Sequence, residues 1–82
     1  MKIHVRKRHV LAGKPQSKEY CPINLAMNSK GLTDVVVDVD AVFFRNKGDG
    51  YVRRLPSDAI RFIETFDQGG AVAPFSFDLG RL

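Results

Sequence analysis

Residues 33 to 46 read TDVVVDVDAVFFRN, and this run constrains the fold more than any other part of the chain. Val35, Val37, Val39, Ala41 and Phe43 alternate with Val36, Asp38, Asp40, Val42 and Phe44, the two-residue period of a β-strand rich in β-branched side chains. The first set is wholly apolar and is expected to face the core. The second is apolar only at its ends, which predicts an outward face with a bulge near Asp40. NKGDG then supplies a turn, and YVRRL returns as the hairpin partner. A hairpin implies an antiparallel sheet with one apolar face that other elements must cover.

Two segments carry helix signals. Pro22 suits a first helical position, where its missing N–H costs nothing, and Gly31 suits the position just past the end, so a helix is expected over about Pro22 to Lys30. Ile23, Ala26 and Met27 share one face of it, with Leu25 at the margin. In LPSDAIRFIETFDQGG, Ser57 can cap, Asp58 favours the positive end of the dipole, and Gly69 with Gly70 ends the helix. Ala59, Phe62, Ile63 and Phe66 form its i, i+3, i+4, i+7 stripe, with Ile60 beside it. Val37, Val39, Phe62, Ile63 and Phe66 are expected to meet where sheet and helix pack.

The ends are shorter. KIHV alternates, with Ile3 and Val5 on one face and His4 and Arg6 on the other. Val10 and Leu11 can anchor a single helical turn that Gly13 ends in the left-handed conformation, and GKPQSK reads as loop. Phe75, Phe77 and Leu79 alternate in PFSFDL as a last strand or an extended tail over the core. The order strand, helix, strand, strand, helix, strand predicts an α+β fold, a small antiparallel sheet of three or four strands packed with two α-helices. A ferredoxin-like arrangement is one way to wire it. With 82 residues there is room for a single compact domain over 1–82.

The net charge of +4 matters less than its placement, because residues 1 to 18 hold six bases and no acid while the remainder holds seven bases and nine acids. A basic end steers a protein toward nucleic acid or an acidic protein surface. Arg6, Lys7, Arg8, Arg53 and Arg54 are the candidate partner-binding residues. The single Cys21 cannot form an internal disulfide, no apolar run approaches the roughly 20 residues needed to cross a bilayer, and the basic start lacks the apolar segment of a secretory signal. The expectation is a reduced, cytoplasmic protein.

Motifs for chemistry are sparse. Cys21 stands at a helix start, where a dipole can activate a thiol, but His4 and His9 are the only histidines and nothing in the sequence brings either to it. A small buried side chain is the simpler reading. No Cys and His pair has zinc-like spacing, so no metal and no cofactor is expected. Asp38 and Asp40, two apart on one strand face, could hold magnesium, yet salt bridges to Arg53 or Arg6 account for them as well. An RNA-binding sheet would need aromatics on its central strands, and KIHV offers none while YVRRL offers only Tyr51.

Taken together, KIHV, the CPINLA helix start at 21 to 26, Pro56 with the FIxxFD run at 62 to 67, and PFSF at 74 to 77 resemble small proteins of unassigned activity encoded in bacteriophage and prophage genomes. The likeness covers most of the chain. It implies a small α+β protein from a phage or its bacterial host, with no catalytic residue to carry over. Some proteins of that class are anti-CRISPR inhibitors, which bind a surface of the interference complex. This chain departs from the strongly acidic DNA mimics among them. The expected function is a non-enzymatic, phage-associated interaction protein, monomeric or a small homo-oligomer, that binds and inhibits or modulates a bacterial host protein or ribonucleoprotein complex. The alternative is a small nucleic-acid-binding protein using the basic N-terminal patch.

Overall fold

The run from 33 to 46 folds as two strands, not one. In the computed structural model, which describes all 82 residues, β2 (Thr33–Asp38) and β3 (Ala41–Asn46) are joined by a turn of two residues, Val39 and Asp40. Val37 pairs with Val42 and Asp38 with Ala41, antiparallel. Cross-strand partners point to the same face, so the turn reverses the alternation beyond it. Val42 and Phe44 join Val35 and Val37 in the core, while Ala41 and Phe43 turn outward. Val39, expected in the core, is 81% exposed at the turn with φ 42°. The irregularity expected near Asp40 is this turn; the register shift lies between Thr33 and Val36, where Asp34 has φ 49°.

β4 (Asp49–Arg54) pairs antiparallel with β3 through a tight Lys47–Gly48 turn, both residues at positive φ, which matches the right-handed twist of the strands. The five strands form two antiparallel sheets. β2, β3 and β4 make one, and β1 (Lys2–Val5) with β5 (Phe75–Asp78) makes the other. The α+β class and antiparallel pairing are as expected. The two terminal strands pair with each other in a sheet of their own, which rules out the ferredoxin-like wiring.

There are three helices, α1 (Lys7–Ala12), α2 (Pro22–Ser29) and α3 (Ser57–Asp67). α2 packs on both β1 and β2 and so bridges the two sheets, burying Ile23, Ala26 and Met27 as its pattern predicts. Gly31, at φ 98°, ends it. In α1 the buried residue is His9, while Leu11 is exposed. Gly13 is extended, at φ −72°, not left-handed; it is glycine because a Cβ there would lie 2.7 Å from the Pro22 ring. Pro56, not Ser57, is the N-cap of α3, and Asp58 accepts a hydrogen bond from the Ala59 amide at 2.9 Å.

One cluster of sixteen buried apolar residues, including Ile3, Val5, Ile23, Met27, Phe44, Phe62 and Phe77, forms the core. The α3 stripe divides. Phe66, Phe62, Phe75 and Phe77 stack in that order as a chain of rings, joined between α3 and β5 by Phe62 and Phe75 with ring centres 4.7 Å apart, while Ile60 and Ile63 face Val37 across a cleft. Phe77 and Leu79 are buried, so the last segment is both a strand and a core element. No helix is long and apolar enough to cross a membrane.

Candidate interaction surfaces

The turn at Val39–Asp40 creates a surface that the simple alternation hides. On the outward face of the three-stranded sheet, Val36 pairs with Phe43 and Phe43 with Val52, so the three stand in one row across β2, β3 and β4. Val36 and Val52 are exposed, Val52 at 65%, and Phe43 is half-buried. Around the row every cation with a nearby acid is neutralised. Arg45 pairs with Asp34 at 3.2 Å, Arg54 with Asp40 at 3.3 Å and Lys18 with Asp38 at 3.6 Å. The Arg45 guanidinium also lies 5.7 Å from the Phe43 ring centre. The aspartates thus differ from expectation. Asp40 has left the strand for the turn, and their partners are Lys18 and Arg54, not Arg53 or Arg6. These exposed pairs stabilise the fold by about 1 kcal/mol at most, but they leave an apolar row in an electrically balanced frame.

The edges of this sheet are unequal. Along β2 the Val37 amide donates to the Lys18 carbonyl at 3.3 Å, and the buried Asn24 side chain donates to the Val35 carbonyl at 2.6 Å and the Lys18 carbonyl at 2.9 Å. The 13–21 loop therefore covers that edge. β4 is the open edge, where the Arg53 guanidinium folds back on the Val52 carbonyl at 3.1 Å, a charged guard against further strand pairing.

The five candidate partner-binding residues fall into two groups. Arg6, Lys7 and Arg8 leave β1 at its Val5–Phe75 end and are exposed. Arg53 stacks on Tyr51, with 5.2 Å to the ring centre, and donates to the Arg81 carbonyl at 3.3 Å, beyond the opposite, Lys2–Asp78 end of the same strand pair. A four-residue strand, roughly 13 Å long, separates the two ends. Arg54, next to Arg53 on a strand, points to the other face and meets Asp40. The structure gathers Arg6, Lys7 and Arg8 but does not bring Arg53 and Arg54 to them.

Cys21 occupies the N-cap of α2 and is 3% exposed. Burial pushes its thiol up from the ordinary value; the Ile23 and Asn24 amides act in the opposite direction, and the charge of Asp67 adds to the rise. A neutral thiol is a poor nucleophile. Cys21 lies in the floor of the cleft between β2 and α3, about 340 Å³, with Val37, Ile60 and Ile63 below and Asp38, Glu64 and Asp67 around it. Neither histidine is bonded to it. His4 Nδ1 is 2.8 Å from Ser76 Oγ, and His9 is engaged with Arg6 and Ser29.

Comparison with known proteins returned no matching family, no similar curated protein and no similar solved structure. Sequence reasoning missed Phe43 and Val52 as surface residues. The available signal was the pair of aspartates flanking Val39, since Asp is favoured in turns and disfavoured within strands.

Proposed function

We propose that this chain is a non-enzymatic interaction protein whose contact surface is the outward face of the β2–β3–β4 sheet. The observation that carries this reading is the aligned, solvent-facing row Val36, Phe43 and Val52. A half-buried aromatic between two exposed valines supplies apolar anchoring area on a rigid sheet, so little entropy is lost when a partner covers it. The flanking Asp34–Arg45 and Asp40–Arg54 pairs form a polar rim. An aromatic on a central strand could also stack a nucleobase. The charge-balanced frame around it favours a protein surface instead, because its cations are already paired with aspartates and offer no excess positive charge to a phosphate backbone.

The resemblance to phage and prophage proteins supplies the partner class, a bacterial host protein or ribonucleoprotein complex that the chain inhibits or modulates, as anti-CRISPR proteins do. Direct nucleic-acid binding is the second reading. One observation favours it: of Arg6, Lys7, Arg8, Arg53 and Arg54, only Arg54 has an ion-pair partner.

Capture from bacterial lysate, with and without nuclease, separates the two readings when wild type is run beside Val52→Asp. The first reading expects a complex of fixed composition that survives nuclease and is lost in a folded Val52→Asp protein. Retention by Val52→Asp would overturn the sheet face as the contact, and loss on nuclease treatment alone would favour the second reading.

A further inference from the structure

Beyond the sheet, a cleft of about 140 Å³ opens where β1, α1 and α2 meet, lined among others by His4, Arg6, Arg8, His9, Ser29 and Lys30. It has no carboxylate in its wall. Arg6, Arg8 and Lys30 make no ion pair anywhere in the molecule. Three like charges around one small cleft repel each other, and an anion placed among them would relieve that repulsion. At about 30 Å³ per water the space corresponds to between about four and five waters, enough for a tetrahedral oxyanion.

The hydrogen bonds at the base of the cleft fix the direction of a further donor. The Arg6 backbone N–H donates to His9 Nδ1 at 2.9 Å. A backbone amide can only donate, so His9 Nδ1 carries the lone pair and Nε2 carries the proton. Nε2 therefore donates to Ser29 Oγ at 3.1 Å. The Ser29 oxygen is the acceptor in that bond, and its own proton is left with no acceptor in the protein. A neutral hydroxyl donor thus stands beside Arg6, Arg8 and Lys30.

We propose that this cleft is a discrete binding site for a phosphate group, with Arg6, Arg8 and Lys30 supplying charge and Ser29 Oγ–H supplying a neutral hydrogen bond. Charge-assisted bonds from guanidinium groups to phosphate are the strong members of such a set. The lowered pKa of His9, caused by burial first and then by the charges of Arg8 and Arg6, is consistent with an unneutralised positive field at this place. The proposal does not rest on the sheet face, which belongs to the other sheet, so either can fail while the other stands.

The test is a titration of the whole chain with inorganic phosphate at constant ionic strength, followed by NMR. Saturable shifts centred on Arg8, Ser29 and Lys30 are expected. The exposed variants Arg8→Gln and Lys30→Gln should each weaken binding at least about tenfold, whereas Lys47→Gln in the remote β3–β4 turn should leave it unchanged. A second arm uses a short single-stranded oligonucleotide. If it competes with phosphate and binds more tightly, the group bound is a nucleic-acid phosphodiester; if it binds no better, the group is a free phosphoryl compound. No saturation with phosphate, or equal weakening by Lys47→Gln, overturns the site.

Discussion

His9 and Cys21 show how a residue type that suggests chemistry can be committed to structure. His9 caps the Arg6 amide through Nδ1, a role open only to the neutral ring, and its pKa is lowered by burial and by Arg8 and Arg6. A histidine with a depressed folded pKa binds its proton more weakly than in the unfolded chain, where the value is about 6.5. Its contribution to stability is therefore present above that value and lost as pH falls from about 6.5 toward the folded pKa. Chemical denaturation between pH 8 and pH 5 should show this loss, and His9→Gln, which keeps an acceptor but takes no proton, should flatten it. An unchanged slope would contradict the assigned role. For Cys21, buried and with its thiol pKa raised, Cys21→Ala should cost about 1 to 2 kcal/mol and native protein should react slowly with thiol reagents at neutral pH. The buried, structural character of Cys21 was legible from the lack of a partner base and from the tendency of a free cysteine to be buried, against the helix-start position that suggests a reactive thiol. His9 was not, because its hydrogen bond to Ser29 joins residues twenty apart in the chain.

At the scale of the element, the β2–β3 turn is the place where local preference and structure conflict. Val39 is a β-branched residue at φ 42°, a conformation that costs such side chains roughly 1 to 3 kcal/mol, and its side chain gains little burial in return. Val39→Gly should remove that cost and stabilise the domain by a net 0.5 to 1.5 kcal/mol or so, read as a melting temperature higher by several degrees. A lower melting temperature would mean that the chain does not turn at Val39. The helix patterns of α2 and α3 were readable because a 3.6-residue stripe survives any tertiary arrangement, as Ile23, Ala26 and Met27 demonstrate. The turn was not, because Val39 and Ala41 continue an apolar alternation straight through it. Nothing local marks a reversal except the two aspartates.

For the whole molecule, α2 is the joint. It carries the contacts to β1 and β2 that hold a terminal two-stranded sheet and a central three-stranded sheet around one core. This arrangement puts the basic corner and the apolar sheet row on separate surfaces, and separates Arg53 and Arg54 from Arg6, Lys7 and Arg8. The charge imbalance was visible in the sequence; which residues it would bring together was not, since that follows from the pairing of β1 with β5. The proposed contact surface depends on the phase of the hairpin, with Phe44 inward at 0% exposure and stacked on Tyr51, and its neighbour Phe43 outward. Chemical denaturation of Phe43→Ala beside Phe44→Ala tests that phase most directly. Phe44→Ala should lose roughly 3 to 5 kcal/mol, a large share of the stability of so small a domain, whereas Phe43→Ala should lose about 1 kcal/mol or less. A larger loss for Phe43→Ala than for Phe44→Ala would restore the unbroken strand from 33 to 46 and remove the surface on which the proposed function stands.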